Sequence, residues 1–489
     1  MFYNEKDAIG TLGKSAYEII DWLSDSGQKY LQILPLNPTG YGDSPYSSYS
    51  AFAGNPYLID IELLVDDGDL VKNDLEKYIK KIKASDHVDY GYVATTKTEL
   101  FRKAFEKFSI GSKLIKDYEK YLSKNRSWLL DYCCYMALRN EYGGKCWNQW
   151  PKKYREKAFK ESDLPESVNK ERDFHLYLQW KFSRQWDQFR AYAGTKNIKI
   201  IGDAPIFVAY GSADVWSNRK YFKLLPDGSQ TCVAGVPPDY FSKTGQLWGN
   251  PLYNWEEHAK DGFIWWIERI TNLLRSVDIV RIDHFRGLEA CWEVPAGEKT
   301  AINGEWVDSD GWELLRKLGK VFGEDIPIIA EDLGIITEGV EDLRDAFDLP
   351  GMKIFEFCPW NDPEELVEAP YLPVNYIENC VAYTGTHDNE PLIGWFRNLP
   401  DYEKTNVLNY LDLDEECNDL NWKVIEDIMN SKADMVIFPI QDVLGLGNES
   451  RFNTPGTMGV SNWSWRIKKE MLTEEVSKKL KKLVKTSKR

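Results

Sequence analysis

Residues 278–287 read DIVRIDHFRG, a short apolar, β-branched run that ends on an acid and passes at once into a turn. A near-continuous apolar run of this length is what a strand buried on both faces looks like. Six more share its shape: Tyr30–Leu36 (YLQILPL), Ile198–Asp203 (IKIIGD), Ile326–Glu331 (IPIIAE), Met352–Phe357 (MKIFEF), Cys380–Gly385 (CVAYTG) and Asp434–Gln441 (DMVIFPIQ). Amphipathic helical stretches such as Lys14–Ser26 and Trp265–Ser276 lie between most of them, and alternating strand and helix implies a parallel sheet. Acids at the C-terminal ends of several strands favour an α/β fold of the TIM (β/α)8-barrel kind, whose chemistry gathers on that face. A doubly wound open sheet, which also binds ligands beyond its strand ends, is the alternative.

The rhythm breaks twice. Residues 66–190 are Lys/Glu-rich and read as mostly helical, with aromatic clusters at Cys146–Tyr154 (CWNQWPKKY) and Phe174–Phe189 (FHLYLQWKFSRQWDQF). They are expected to form a helical insertion on a barrel loop, dividing the chain into 1–65 (start of the barrel), 66–190 (insertion) and 191–489 (remainder). Residues 225–255, dense in Gly, Pro and aromatics, have the make-up of a substrate-covering loop. The tail Lys468–Arg489 reads as a basic amphipathic helix that closes the barrel. Seven strand candidates leave an eight-stranded barrel one short. The place for the missing one lies ahead of the helix at Lys14, where MFYNEKDAIG offers no apolar run.

Of the 489 residues, 43% are hydrophobic and 28% charged, the balance of a globular chain with a sizeable core. The formal net charge of -16 repels phosphate backbones and anionic lipids, so no nucleic acid and no membrane is expected as a partner. No apolar run approaches the roughly 20 residues that span a bilayer. The N-terminal MFYNEKDAIG lacks the features of a secretory signal. Eight scattered cysteines then read as reduced thiols of a cytoplasmic protein. Nineteen tryptophans and 27 tyrosines suit a ligand that offers both C–H faces and hydroxyls, as a sugar does, although a Trp-rich core accounts for them equally well.

Glycosidic chemistry needs two carboxyl groups in different protonation states. In VRIDHFRG (280–287), Arg281 and Asp283 are two residues apart on one strand, so both side chains point the same way. The guanidinium would hold Asp283 ionised, as a nucleophile requires, and His284 and Arg286 add donors for hydroxyls. A structural Arg–Asp pair at a strand end is the competing reading. Glu331, ending IPIIAE, gains a raised pKa from partial burial and suits a general acid, while Asp332 beside it suits a turn cap. In YTGTHDNE (383–390), His387 and Asp388 pair past a strand and would grip adjacent hydroxyls; zinc ligation lacks further ligands at suitable spacing. Asp203, ending IKIIGD, either touches substrate or closes a turn.

Taken in order, these segments resemble the amylomaltase or 4-α-glucanotransferase family (glycoside hydrolase family 77) of the α-amylase clan. The likeness runs from about Ile9 to Arg466. It is carried by GQKYLQILPLNPTGYGDSPYSSYSAFAGNPYLI (27–59), GDAPIFVAYGSADVW (202–216), GVPPDYFSKTGQLWGNPLYNW (235–255), RIDHFRG, EVPAGEKTAINGEW (293–306), AEDLG, YTGTHDN and RFNTPGTMGVSNWSWR (451–466). The resemblance implies a retaining transfer of α-1,4-glucan segments between maltooligosaccharides. In it Asp283 is the nucleophile, Glu331 the acid/base and Asp388 the third, transition-state-stabilising carboxylate. The two catalytic carboxyls would stand about 5–5.5 Å apart. It implies that Asp203, Arg281 and His387 line the subsite of the reacting glucose, with His284 a further substrate-binding residue. Tyr240, Phe241 and Trp248 would lie on the acceptor-covering loop, and Tyr46 and Tyr49 in a glucan-binding segment. The family needs no metal or organic cofactor, and a monomer is expected. Members of the family begin with an apolar first strand and a Ser-Leu-Pro turn ahead of the segment matching Gly10–Lys14. This chain starts inside or after that turn, so a native start about 10–15 residues upstream is expected, one strand and a turn.

Overall fold

In the computed structural model, residues 6–82, 85–109, 113–238, 242–414, 417, 419–459 and 461–489 are described. They contain the strands β1 (Tyr30–Gln32), β2 (Lys199–Pro205), β3 (Cys232–Val236), β4 (Gln246–Pro251), β5 (Ile279–Asp283), β6 (Ala290–Pro295), β7 (Glu305–Asp308), β8 (Ile328–Ala330), β9 (Gly351–Ile354), β10 (Cys380–Tyr383) and β11 (Met435–Ile437). Each of the seven apolar runs overlaps one strand, and these seven pair in parallel as two sheets ordered β1-β2-β5-β8 and β9-β10-β11. The amide of Ala330 donates to the Pro350 carbonyl at 2.9 Å and joins the two sheets. Helices run between the strands, among them Ile264–Ser276, Gly311–Phe322 and Glu338–Ala346. The fold is α/β and barrel-like. Among the described residues no strand precedes helix Lys14–Asp25.

The period-two alternation of strands decides what each side chain meets. Ile201, Ile329, Met352, Ile354, Val381 and Tyr383 form one buried cluster, with Tyr30, Ile279, Met435 and Ile437 packed against it. These are the inward positions. Their neighbours Ile200, Val280, Ile282, Ile328 and Ala330 belong to the larger outer cluster between strands and helices. Two positions beyond an inward residue is inward again, so Asp203, Arg281, Asp283 and Glu331 are carried to the inner side by the parity that buries Ile201, Ile279 and Ile329.

Between β1 and β2 the chain is irregular as far as Asp60 and mostly helical from Ile61, and it ends in the 30-residue helix Glu166–Thr195. That helix packs Phe189 edge-on against Tyr17 of helix Lys14–Asp25, with ring centroids 5.8 Å apart. The division expected at residue 190 therefore falls inside one continuous helix, whose last turns face the barrel. The stretch 225–255 is not a loop throughout either. It contributes β3 and β4 to a four-stranded antiparallel sheet ordered β4-β3-β6-β7. The segment QLWGNP has no period-two apolar signal, and β6 and β7, which complete the sheet through β3, lie beyond β5 in sequence. At the C-terminus, helix Glu474–Thr486 lies on helix Lys14–Asp25: Ser26 Oγ donates to Ser477 Oγ at 2.9 Å and Trp22 Nε1 to the Thr473 carbonyl at 3.3 Å.

Candidate active site

Asp203 near the end of β2, Asp283 at the end of β5 and Glu331 just past β8 come together on the C-terminal face. One guanidinium links the first two. Arg281 Nη1 donates to both oxygens of Asp203 at 2.8 Å and to Asp283 Oδ1 at 3.1 Å. The Asp203 and Arg281 side chains are almost wholly buried, at 1% and 5% exposure, whereas that of Asp283 keeps 29%. Such a buried pair, satisfied on both sides, holds its geometry. Asp283 is the open end of the network and faces the cleft.

Glu331 sits differently. It is 9% exposed and receives the backbone N–H groups of His284 and of Leu333, the latter at 3.1 Å. His284 presents its amide because it adopts the left-handed conformation at φ 53°, ψ 51°, which breaks β5 just after Asp283. Burial pushes the Glu331 carboxyl well up, Arg281 opposes that, and the Asp283 charge reinforces it. Burial also raises Asp283, with Arg281 directly opposing. Because Asp283 is more exposed and touches the guanidinium, its rise is the smaller. Glu331 keeps its proton to higher pH than Asp283.

His387 and Asp388 lie in the turn after β10. The turn passes close over Glu356, where a Cβ on Gly385 would stand 2.8 Å from Glu356 Oε1 and force that carboxyl group to move. Tyr46 stacks on the His387 imidazole, with centroids 4.9 Å apart and planes at 16°, and its hydroxyl donates to Asp203 Oδ2 at 2.6 Å. His387 Nε2 lies 3.5 Å from Asp388 Oδ2. Asn453 Nδ2 donates to Asp388 Oδ1 at 2.6 Å, and Arg451 Nη2 to the Asp388 carbonyl at 2.8 Å. Trp463 completes the wall, 5.6 Å from Tyr46 and 5.8 Å from His387 between centroids.

His284 meets the edge of Trp248 at 4.8 Å, and Trp248 on β4 is 38% exposed. Burial and Arg286 hold the His284 imidazole neutral, with its pKa pushed down to about 3. Arg286 itself lies over the Trp306 ring at 3.7 Å and donates to the Ile335 carbonyl. Tyr49 takes its described contacts elsewhere, under the Arg139 guanidinium at 4.4 Å. Tyr240 and Phe241 lie outside the described residues. Asp332 does not cap a turn but accepts from the Met352 amide at 2.7 Å, tying β8 to β9, and from Arg344 of helix Glu338–Ala346. Asn453, Arg451 and Trp463 lie in a segment quoted above for its resemblance but given no roles, because a loop without periodicity does not announce which side chains turn inward. Among the described residues no group of three or more His, Cys, Asp or Glu is placed to hold a metal ion, and no helix is long and apolar enough to cross a membrane.

The 4-alpha-glucanotransferase profile of glycoside hydrolase family 77 matches residues 3–473. The chain belongs to that family. Curated 4-alpha-glucanotransferases are similar along nearly their whole length. That of Synechocystis sp. is 43% identical over 478 residues (96% of this chain, 92% of the relative). That of Thermus thermophilus is 42% identical over 497 residues (98% and 96%). The solved amylomaltase from Streptococcus agalactiae in complex with acarbose superposes with a TM-score of 0.93 at 37% identity, covering 99% of this chain and 96% of that one. This glucanotransferase also shares its fold with the amylomaltase of Corynebacterium glutamicum, at a TM-score of 0.75 and 18% identity over 97% of this chain and 73% of that one.

Proposed function

We propose that this 4-α-glucanotransferase works by two displacements at Asp283. With a maltooligosaccharide donor in the cleft, protonated Glu331 gives its proton to the glycosidic oxygen as Asp283 attacks the anomeric carbon. The bond to the leaving chain breaks and a β-glucosyl ester forms on Asp283. The 4-hydroxyl of an acceptor glucan or glucose then attacks that ester carbon, Glu331 takes its proton, and Asp283 leaves as a carboxylate. The α configuration returns. Asp388, held by Asn453 and paired with His387, takes the 2- and 3-hydroxyls and stabilises the oxocarbenium-like transition state, while Asp203 and Arg281 bound the reacting glucose. The observation that carries this is the contrast between two neighbouring carboxyls: Asp283 bonded to a guanidinium and partly open, Glu331 buried and held by backbone N–H groups.

Trp248 beside His284 supports an acceptor subsite, and we assign Tyr240 and Phe241 to the same covering segment. A stacking surface that excludes water lets a sugar hydroxyl outcompete it. Tyr49, apart from the carboxylates, belongs to a more distant glucan contact. The seven parallel strands are read as strands two to eight of a (β/α)8 barrel, with the helices after β1 as an insertion that runs into helix Glu166–Thr195. Eight unpaired cysteines and the acidic surface support a cytoplasmic monomer acting on maltooligosaccharides, apart from nucleic acid and membrane.

Incubation with maltotriose tests the reading. Glucose plus a ladder of longer maltooligosaccharides, absent with Asp283→Asn, is expected. Maltose and glucose alone would make water the acceptor and the protein a hydrolase.

A further inference from the structure

The turn that carries His387 and Asp388 rests on a carboxyl group that the two displacements do not use. Glu356 lies in the short helical turn Phe355–Phe357 after β9 and is buried. Its backbone N–H donates to the Thr384 carbonyl at 3.2 Å, which joins it to the chain just beyond β10. Its side chain packs against Gly385: a Cβ there would meet Oε1 at 2.8 Å, with the Asn389 Cβ next at 3.1 Å. Among the described residues no donor stands within hydrogen-bond distance of that buried Oε1. A buried charge without such donors is costly, whereas the carbonyl oxygen of a neutral acid tolerates the site.

The charged group that acts on Glu356 most strongly is another carboxyl, Asp442 of the short helix Ile440–Val443. Asp442 accepts from the Leu392 amide at 2.7 Å and from the Thr384 hydroxyl, so it fastens the turn at both ends. Those two donors favour charge on Asp442, and two buried carboxyls that feel each other do not both ionise readily. Burial lifts Glu356 well above the usual carboxylate range, Asp442 and Glu390 add to that, and Asn389 and Arg451 oppose it. Asp442, buried as well, is raised only to about 6. Arg451 is committed elsewhere: it donates to the carbonyls of Asn453 and Asp388, both at 2.8 Å, and lies 3.6 Å from Glu390.

From the residues that face Glu356, bonds lead to Asp388. The Thr386 amide and hydroxyl donate to Asn389 Oδ1 at 2.9 and 2.8 Å, and the Asp388 amide donates to Thr386 Oγ1 at 3.3 Å. We propose that Glu356 is a positioning residue for Asp388, acting as a neutral carboxylic acid that fills the space against the Gly385–Asn389 turn. A charge in that space would draw water beneath the turn and repel Asp442 and Glu390. A shorter side chain would leave Gly385 unsupported. Either change displaces Asp388, whose carboxylate Asn453 holds from the other side.

The inference rests on the reading of Asp388 as the third carboxylate. Two variants of the full chain separate length from charge. Glu356→Gln keeps the length and is neutral at every pH, and it should hold kcat on maltotriose within about twofold. Glu356→Asp keeps the acid but is one methylene shorter, and it should lower kcat on the order of 10- to 100-fold, with the effect on KM much smaller. A glycosyl fluoride should show the same loss, because Asp388 serves the transition state whatever the leaving group. Combined with Asn453→Ala, the loss should not multiply, since both changes act through Asp388. Infrared difference spectra between the parent and Glu356→Gln at neutral pH should show the band of a protonated carboxyl group and no carboxylate band, a readout that needs no turnover. A loss in Glu356→Gln as large as in Glu356→Asp, a carboxylate band, or losses that multiply with Asn453→Ala would each overturn the proposal. An inactive Asp388→Asn beside an unimpaired Glu356→Asp would overturn it alone, whereas a fully active Asp388→Asn would sink the third-carboxylate reading and the proposal together.

Discussion

Two carboxyls of opposite duty stand at neighbouring strand ends, and the pH dependence of kcat/KM should report them. Lowering the pH through the pKa of Asp283 protonates the nucleophile, and raising it through that of Glu331 strips the acid of its proton, so the profile is a bell. Because Arg281 opposes the burial of Asp283, Arg281→Met should move the acid limb to higher pH while the alkaline limb follows Glu331. Asp283→Asn should cost on the order of 10⁴-fold or more in kcat. Glu331→Gln should cost about 10²–10⁴-fold with maltooligosaccharide donors, and much less with a glycosyl fluoride, whose leaving group needs no proton. The same raised pKa links Glu331 to stability. The folded state holds a proton that the unfolded chain gives up at lower pH, so stability falls as pH rises from the unfolded value through the folded one. Glu331→Gln should therefore flatten that decline in urea titrations across the alkaline range. Asn453→Ala removes a bond to the Asp388 carboxylate; with such bonds contributing about 1.5–3 kcal/mol, a loss of roughly 10- to 100-fold in kcat is expected, recovered in part by Asn453→Gln.

Among the elements, β8 and β9 belong to separate ladders, and Asp332 bonds the Met352 amide of β9 while anchoring Arg344 of helix Glu338–Ala346. Its side chain is buried and Arg344 is 12% exposed, so Asp332→Ala strands both a backbone amide and most of a guanidinium. Removal of one partner from a buried pair costs about 3–5 kcal/mol. The lower end is expected here, because Arg344 keeps Asp345, and the shift of the urea midpoint at constant m reads it. The antiparallel sheet makes a different contribution. β4 brings Trp248 to His284 from a segment whose own pattern reads as loop. Trp248→Ala should leave release of the first product nearly intact and lower the ratio of transfer to hydrolysis, measured as longer products against reducing ends at fixed maltotriose.

For the whole molecule, the pairing of the parallel strands predicts a gradient of local stability, because among the described strands β1 pairs only with β2 and β11 only with β10. Strands paired on both sides, β2, β5 and β10, should exchange their amides slowly, and β1 and β11 faster by orders of magnitude although all five belong to one wall. A uniform rate across the wall would mean that the two edges are protected by something other than pairing.

The seven parallel strands were legible in the chain because burial on both faces demands unbroken apolar runs, and each run that reads DIVRID or IPIIAE contains its strand. The carboxylates were legible for the same reason. Inward parity is counted along a strand, so Asp203, Asp283 and Glu331 declare themselves by their distance from Ile201, Ile279 and Ile329. Tertiary structure decided everything that depends on partners remote in sequence. The antiparallel sheet pairs β3 with β6 across an intervening barrel strand, Asn453 reaches Asp388 from 65 residues away, and helix Glu166–Thr195 serves the helical segment and the barrel at once. The order of Glu331 above Asp283 was legible in the two-residue spacing of Arg281 and Asp283 and in the apolar run before Glu331; that burial raises Asp283 as well, with Arg281 only partly offsetting it, took the tertiary structure. Local pattern specifies which face a residue takes; only the closed packing of distant segments specifies what that face meets.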